Sequence, residues 1–181
     1  FARKHTKVDF SLFAGTSETV KQELLLDRAD LGLFYTRPTE PQFTIRSLAF
    51  VEFAIVVSAK SEIGNLGDLK NATYIGSRST DYTKTYPALE MLAALKIKPT
   101  KTFECNSQET QKRLVLMGLG YSVMPKFMIR HQINATRFRV LKTQSPIGTP
   151  LYLVKRINRT LSHAAETFTL SLTKQSIEKL I

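Results

Sequence analysis

Three short runs of small polar residues stand where an extended segment gives way to a helix: Gly15-Thr16-Ser17, Ser77-Arg78-Ser79 and Asn106-Ser107. Hydroxyl and amide side chains at such turns cap helices, and the free N–H groups of a first helical turn favour an anion. Small ligands of open α/β sheets bind at the C-terminal ends of strands. Thr16, Ser17, Ser77, Ser79, Asn106 and Ser107 are therefore candidate ligand contacts. Arg78 adds a guanidinium that can pair with a carboxylate. A lone turn of this kind is explained by capping. Three of them can line one cleft if the chain folds as two facing lobes.

Other chemistry has little to stand on. There is no Gly-x-Ser-x-Gly elbow, no Walker-type phosphate loop and no His-Glu-x-x-His. Gly118-Leu119-Gly120 lacks the third glycine of a dinucleotide fingerprint and follows a helix instead of a strand. His5, His131 and His163 are far apart in sequence, so no metal or cofactor is expected. Cys105 is the single cysteine, which excludes an internal disulfide and reads as a small buried hydrophobe. Sequons begin at Asn71, Asn134 and Asn158 and matter only in a secreted protein.

The elements that must position the polar turns follow from hydrophobic periodicity. Val8, Phe10 and Leu12 alternate with Asp9, Ser11 and Phe13, which predicts a half-buried strand. Val20, Leu24 and Leu25 then recur at helical spacing, and Leu31 to Tyr35 reads as a short buried parallel strand. Phe43–Leu48 and Phe50–Val57 read as two extended segments, and the residues from Ser61 to Asn71 as a loop. Thr73–Ile75 and Thr102–Cys105 are short strands, each followed by a polar turn. Pro87 suits the first turn of a helix carrying Leu89, Leu92, Ala93 and Leu95. Asn106 with Glu109 has capping-box spacing ahead of Leu114, Val115 and Met117, and Gly118 is a natural C′ residue. Tyr121–Met124 is a strand and Pro125 starts another short helix. Arg137–Leu141 and Leu151–Val154 are strands, and Leu161, Ala165, Phe168 and Leu172 form a helical stripe that Leu180 extends. Strands alternating with helices predict an α/β protein with mainly parallel pairing.

The 181 residues suffice for one substantial domain or two small lobes. Hydrophobic content of 43% and charged content of 23% are ordinary for a soluble globular chain. No apolar run approaches the roughly 20 residues of a membrane span, and Phe1 to His5 carries no signal-peptide core, so no membrane partner and a cytoplasmic setting are expected. The first residue is not Met, and the chain reads as part of a longer protein. A net charge of +11 favours anionic partners. The basic residues are scattered, however, and mark no DNA-reading element.

The order and wording of these segments resemble the effector-binding domain of LysR-type bacterial transcriptional regulators. Phe1 to Phe10 is similar to the family's Phe…His/Tyr-Pro-x-Val segment, with Thr6 where proline is usual. Gly15-Thr16-Ser17, Leu24-Leu25 and Ala29-Asp30-Leu31-Gly32-Leu33 resemble its Gly-x-Ser/Thr…Leu…Asp-Leu-Gly-Leu core. Asp68-Leu69 resembles the Asp-Leu ahead of the second lobe. Gly118-Leu119-Gly120-Tyr121-Ser122-Val123-Met124-Pro125 resembles the Gly-x-Gly-Ile-x-x-Leu-Pro signature. Leu151–Arg156 and Leu161–Ala165 resemble the closing strand and helix.

The resemblance implies a type 2 periplasmic-binding-protein-like fold, with each lobe a mainly parallel sheet flanked by helices and two crossover strands. Lobe I would be 1–52 plus 156–181, without its first strand and most of its first helix, and lobe II would be 53–155. It implies an effector-sensing domain without catalysis, which binds a small anionic metabolite between the lobes. Thr16 and Ser17, beside Phe34, would act from one lobe, and Ser77, Arg78, Ser79, Asn106 and Ser107 from the other. It further implies a homodimer or homotetramer that reaches DNA only through an N-terminal winged helix-turn-helix outside these residues. The alternatives on the same fold are a periplasmic solute-binding protein of a transporter and, less favoured, a deaminase- or dehydratase-type enzyme.

Overall fold

The computed structural model describes residues 1–77, 86–173 and 177. The chain divides into two compact units, Phe1–Phe50 with Pro150–Ile181, and Val51–Thr149. Two long strands, β2 (Phe43–Ser58) and β7 (Ile147–Arg156), run through the boundary.

In the first unit, helix α1 (Ser17–Leu25) starts at Thr16, whose side chain accepts the Thr19 N–H, and it buries Leu24. It leads into β1 (Gly32–Phe34), which pairs antiparallel with β7 in the register Gly32 with Val154 and Phe34 with Tyr152. Leu24, Phe34, Phe43 and Val154 form one core cluster, and Leu48, Ala49, Leu153 and Ile177 a second. Helix α5 (His163–Ser171) is capped by Ser162, and its last carbonyls, from Thr169 and Leu172, accept the Arg46 guanidinium at 2.8 and 3.2 Å. The corner between α1 and β1 is clamped by charge. Arg156 donates to Asp27 at 2.5 Å, and Arg159 to Asp27 and Asp30 at 2.9 and 2.7 Å.

The second unit holds β3 (Thr73–Gly76), α2 (Pro87–Ala94), β4 (Lys101–Glu104), α3 (Gln108–Leu116), β5 (Tyr121–Pro125), α4 (Lys126–Asn134) and β6 (Phe138–Leu141). Its part of β2 pairs antiparallel with both β5 and β6, and β3 pairs parallel with both β4 and β5. Ala54, Val56, Ile75, Val115, Met124, Ile129 and Phe138 interlock between these strands and helices α3 and α4.

Several expectations change. Residues 8–13 form no strand, and Phe10, Leu12 and Phe13 are 43%, 94% and 56% exposed. A period-2 pattern needs a neighbouring strand to complete its ladder, and among the described residues none pairs with this segment. Phe10 instead meets Phe1 and Phe168 edge-on, with ring centroids 6.0 and 5.7 Å away. The segment read as a parallel strand, Leu31–Tyr35, is the antiparallel β1 with Leu33 turned outward. The two extended segments at 43–57 are one strand. The loop at 61–71 contains a 3₁₀ turn, Leu66–Asn71, held by an Asn65–Asp68 capping box. Ser107, not Asn106, caps α3, because its hydroxyl is the one that reaches the Thr110 N–H. Leu180 lies outside the described residues.

Two glycines bound the α3–β5 corner. Gly120 has φ of 157° and passes so close to β3 that a Cβ there would sit 2.1 Å from the Thr73 carbonyl oxygen, whereas Gly118, at φ of 80°, faces open space. Gly120→Ala is therefore expected to cost about 3 kcal/mol or more in urea denaturation. Gly118→Ala should cost only about 1 kcal/mol. Equal losses would contradict the close approach.

Candidate functional site

The second unit gathers one polar knot at the C-terminal ends of two parallel strands. The register Gly76 with Glu104 brings the ends of β3 and β4 level. The Cys105 N–H donates to the Gly76 carbonyl at 3.0 Å, which extends the ladder by one bond. The Cys105 carbonyl in turn accepts Ser77 Oγ at 3.5 Å and Gln111 Nε2 at 2.5 Å. The Cys105 thiol points at the Ser107 carbonyl, 3.4 Å away, and Ser107 Oγ takes the Thr110 N–H at 3.3 Å. Ser77, Asn106 and Ser107 are thus brought to one end of the sheet. Arg78 and Ser79 lie outside the described residues.

In the first unit, Thr16 Oγ1 lies 2.7 Å from Thr19 Oγ1 and accepts the Thr19 N–H at 3.2 Å, and the exposed Ser17 opens α1. Phe34 is 3% exposed and packs in the core with Leu24, so it supports α1 from within. One turn into the helix, Lys21 is nearly buried and pairs with Glu18 at 2.9 Å and, through a short bond, with Glu40 of the loop after β1. The other Glu40 oxygen accepts the Thr39 N–H at 3.0 Å. The hydrogen bond from Lys21 holds the Glu40 carboxyl below its usual range, against the opposing effect of burial. Burial pulls the Lys21 ammonium down, but Glu40 and Glu18 outweigh it, so its pKa is raised. In the second unit the hydroxyl of Tyr74, just below the knot, is pushed up by burial and then by its neighbour Tyr121. Among the described residues no group of three His, Cys, Asp or Glu side chains is placed to hold a metal ion. No described helix is long and apolar enough to cross a membrane.

The model of the LysR substrate binding domain matches residues 1–176. The chain belongs to the LysR substrate-binding domain family. A curated relative, the HTH-type transcriptional regulator CysL of Bacillus subtilis (strain 168), is 22% identical over 143 residues, or 76% of this chain and 47% of CysL. The chain thus spans about half the length of the curated relative it matches. Solved structures of LysR-type domains share the fold. The effector-binding domain of QuiR, in complex with shikimate, is 21% identical with a TM-score of 0.77, covering 99% of this chain and 90% of that one. The regulatory domain of CcmR from Synechocystis PCC6803, in complex with 2-PG, is 16% identical with a TM-score of 0.78, covering 94% and 85%. The effector domain of AmpR from Pseudomonas aeruginosa is 14% identical with a TM-score of 0.76, covering 99% and 86%. The fold is accordingly the two-lobed α/β arrangement of type 2 periplasmic-binding-protein-like LysR effector domains.

Sequence reasoning missed Gln111, Lys21 and Glu40. Gln111 was legible in part, since it lies four residues after Ser107 and so on the same face of α3. Lys21 was legible from its i,i+3 spacing to Glu18. Glu40 was not, because 19 residues separate it from Lys21 and only folding brings them together.

The Glu40 carboxyl titrates lower in the folded chain, so its contribution is present above its unfolded pKa of 4.5 and is lost as the pH falls through the folded value. Glu40→Gln should therefore narrow the difference in urea midpoint between neutral pH and pH about 3. An unaltered pH profile in the variant would show that the Lys21–Glu40 pair contributes nothing.

Proposed function

We propose that this LysR substrate-binding domain is the effector sensor of a bacterial transcriptional regulator, acts in the cytoplasm without catalysis, and takes a small anionic metabolite. The observation that carries the reading is the polar knot of Ser77, Cys105, Ser107 and Gln111 at the ends of β3 and β4. Strand ends of this kind are where small ligands of α/β sheets bind. The reading of an anionic ligand is supported by QuiR and CcmR, which are seen with shikimate and 2-PG. Thr16 and Ser17 contribute from the first unit, and Ser77, Arg78, Ser79, Asn106 and Ser107 from the second. Arg78 pairs with the carboxylate, and Phe34 enters as part of the core on which α1 packs. The reading divides the domain into lobe I, 1–52 with 156–181, and lobe II, 53–155, bounds a few residues from those of the two compact units. Ligand binding biases a homodimer or homotetramer between states that present a DNA-binding domain differently. That domain is a winged helix-turn-helix elsewhere in the regulator, in keeping with the HTH designation of CysL.

A thermal-shift panel of hydroxylated and phosphorylated carboxylates, beginning with shikimate, followed by calorimetry on the best binder, tests this. Thr16→Ala, Ser107→Ala and Arg78→Ala should each weaken binding about tenfold or more, as expected for a lost hydrogen bond to a charged group. Unchanged affinity in all three variants would reject the assignment. A panel without a single stabilising compound would reject an anionic effector.

A further inference from the structure

Two phenols lie side by side in the sheet of the second unit. Tyr74 of β3 stands in register with Tyr121 of β5, and their ring centroids are 5.6 Å apart. Ile75 points the other way, into the core cluster with Val115 and Met124, as strand alternation requires. Both tyrosines are buried, at 2% and 0% exposure, and the Tyr121 hydroxyl has no hydrogen-bond partner. Most buried polar side-chain atoms are hydrogen-bonded, and one that is not costs about 1–3 kcal/mol. Phenylalanine would fill the same space without that cost, so the hydroxyl calls for a partner from outside the free domain.

The Tyr74 side chain leans along β3 to its C-terminal end. A Cβ at Gly76 would sit 2.2 Å from the Tyr74 hydroxyl oxygen, so it is the bare glycine that lets the phenol reach the end of the strand. That is the end at which Ser77, Ser107 and Gln111 form the polar knot. The carbonyls there are already engaged: Gly76 accepts the Cys105 N–H, and Cys105 accepts Ser77 and Gln111. Burial pushes the Tyr121 hydroxyl up to about 12 and raises Tyr74 too, so both phenols stay protonated and act as donors. We propose that Tyr74 and Tyr121 are specificity-determining residues of the effector site in the second unit, donating to an alcohol oxygen of a hydroxy acid whose carboxylate is left to the polar turns. A carboxylate drawn between two neutral phenols would lose more solvation than they return, whereas a neutral alcohol needs little more than one hydrogen bond. The inference rests on the effector reading above and narrows its ligand class. An enclosed donor discriminates well, because a competitor without the hydroxyl leaves it unpaired.

Titration calorimetry with two matched pairs, malate against succinate and shikimate against cyclohexenecarboxylate, tests this. The unmodified chain should bind at least one hydroxylated member about tenfold more tightly than its counterpart. Tyr74→Phe should bring that ratio close to one by weakening the hydroxylated acid alone, and Tyr121→Phe should reduce it. Urea denaturation without ligand supplies a second measurement. Tyr121→Phe removes no hydrogen bond within the protein, so it should keep or raise the midpoint. A lowered midpoint would show that the hydroxyl is already satisfied in the free domain and overturn the proposal. A preference for the hydroxylated acid that persists in both variants would overturn it too. Equal binding of the two members of each pair by the unmodified chain would also overturn it, while leaving an anionic effector standing. No binding of any of the four acids would overturn it as well, and the thermal-shift panel then decides whether the effector reading falls with it.

Discussion

Strand β2 is buried without interruption from Phe53 to Ser58, and burial of that kind constrains everything attached to it. A strand covered on both faces has no water for its backbone groups, so both of its edges must be paired. β5 and β6 do this along the same residues, with Ile55 opposite Val123 on one side and Leu141 on the other. β5 is then held where it can align β3, and β3 aligns β4. The polar knot beyond Gly76 and Glu104 stands at the end of that chain of dependence. The exposed β4 carries its share of the knot because it inherits a position from a strand two places inward.

The charge of the chain works at two scales. A net charge of +11 is spread over many segments and favours anionic partners in general. The structural effects come from a few ion pairs that are partly withdrawn from water. Arg156 and Arg159 share Asp27 and fix the corner between α1 and β1, where Asp27 itself has φ of 56°. Desolvation opposes ionisation of Asp27, but the hydrogen bonds and charges of Arg156 and Arg159 together outweigh it, so Asp27 titrates low. Lys21 performs a similar office for the loop after β1. Such contacts reinforce segments that the core cluster of Leu24, Phe34, Phe43 and Val154 also joins.

Identities of 14% to 22% with relatives of the same fold show how loosely the fold constrains residue type. What it demands is a burial pattern and a few backbone conditions, such as an apolar central strand and a bare corner at Gly120. Hydrophobic residues of suitable size satisfy the first in many combinations. Side chains at the strand ends are free of that demand, and ligand preference can vary there while the scaffold stays the same.

The sequence by itself determined the α/β class, the helices, most strands and the polar turns, because each is encoded in local periodicity, capping chemistry or a short motif. Thr16 and Gly118 could be read within a few residues of themselves, whereas local spacing put the α3 cap at Asn106 and the structure has it at Ser107. Only the tertiary structure decided the rest. Residues 8–13 have a strand's alternation but no ladder partner, and β1 runs antiparallel because its neighbour is β7, more than a hundred residues later. The meeting of Ser77 with the Cys105 carbonyl and of Lys21 with Glu40 depends on loops whose closure no local pattern records. Pairing and charge contacts are properties of two segments at once, and a pattern read along one segment cannot contain them.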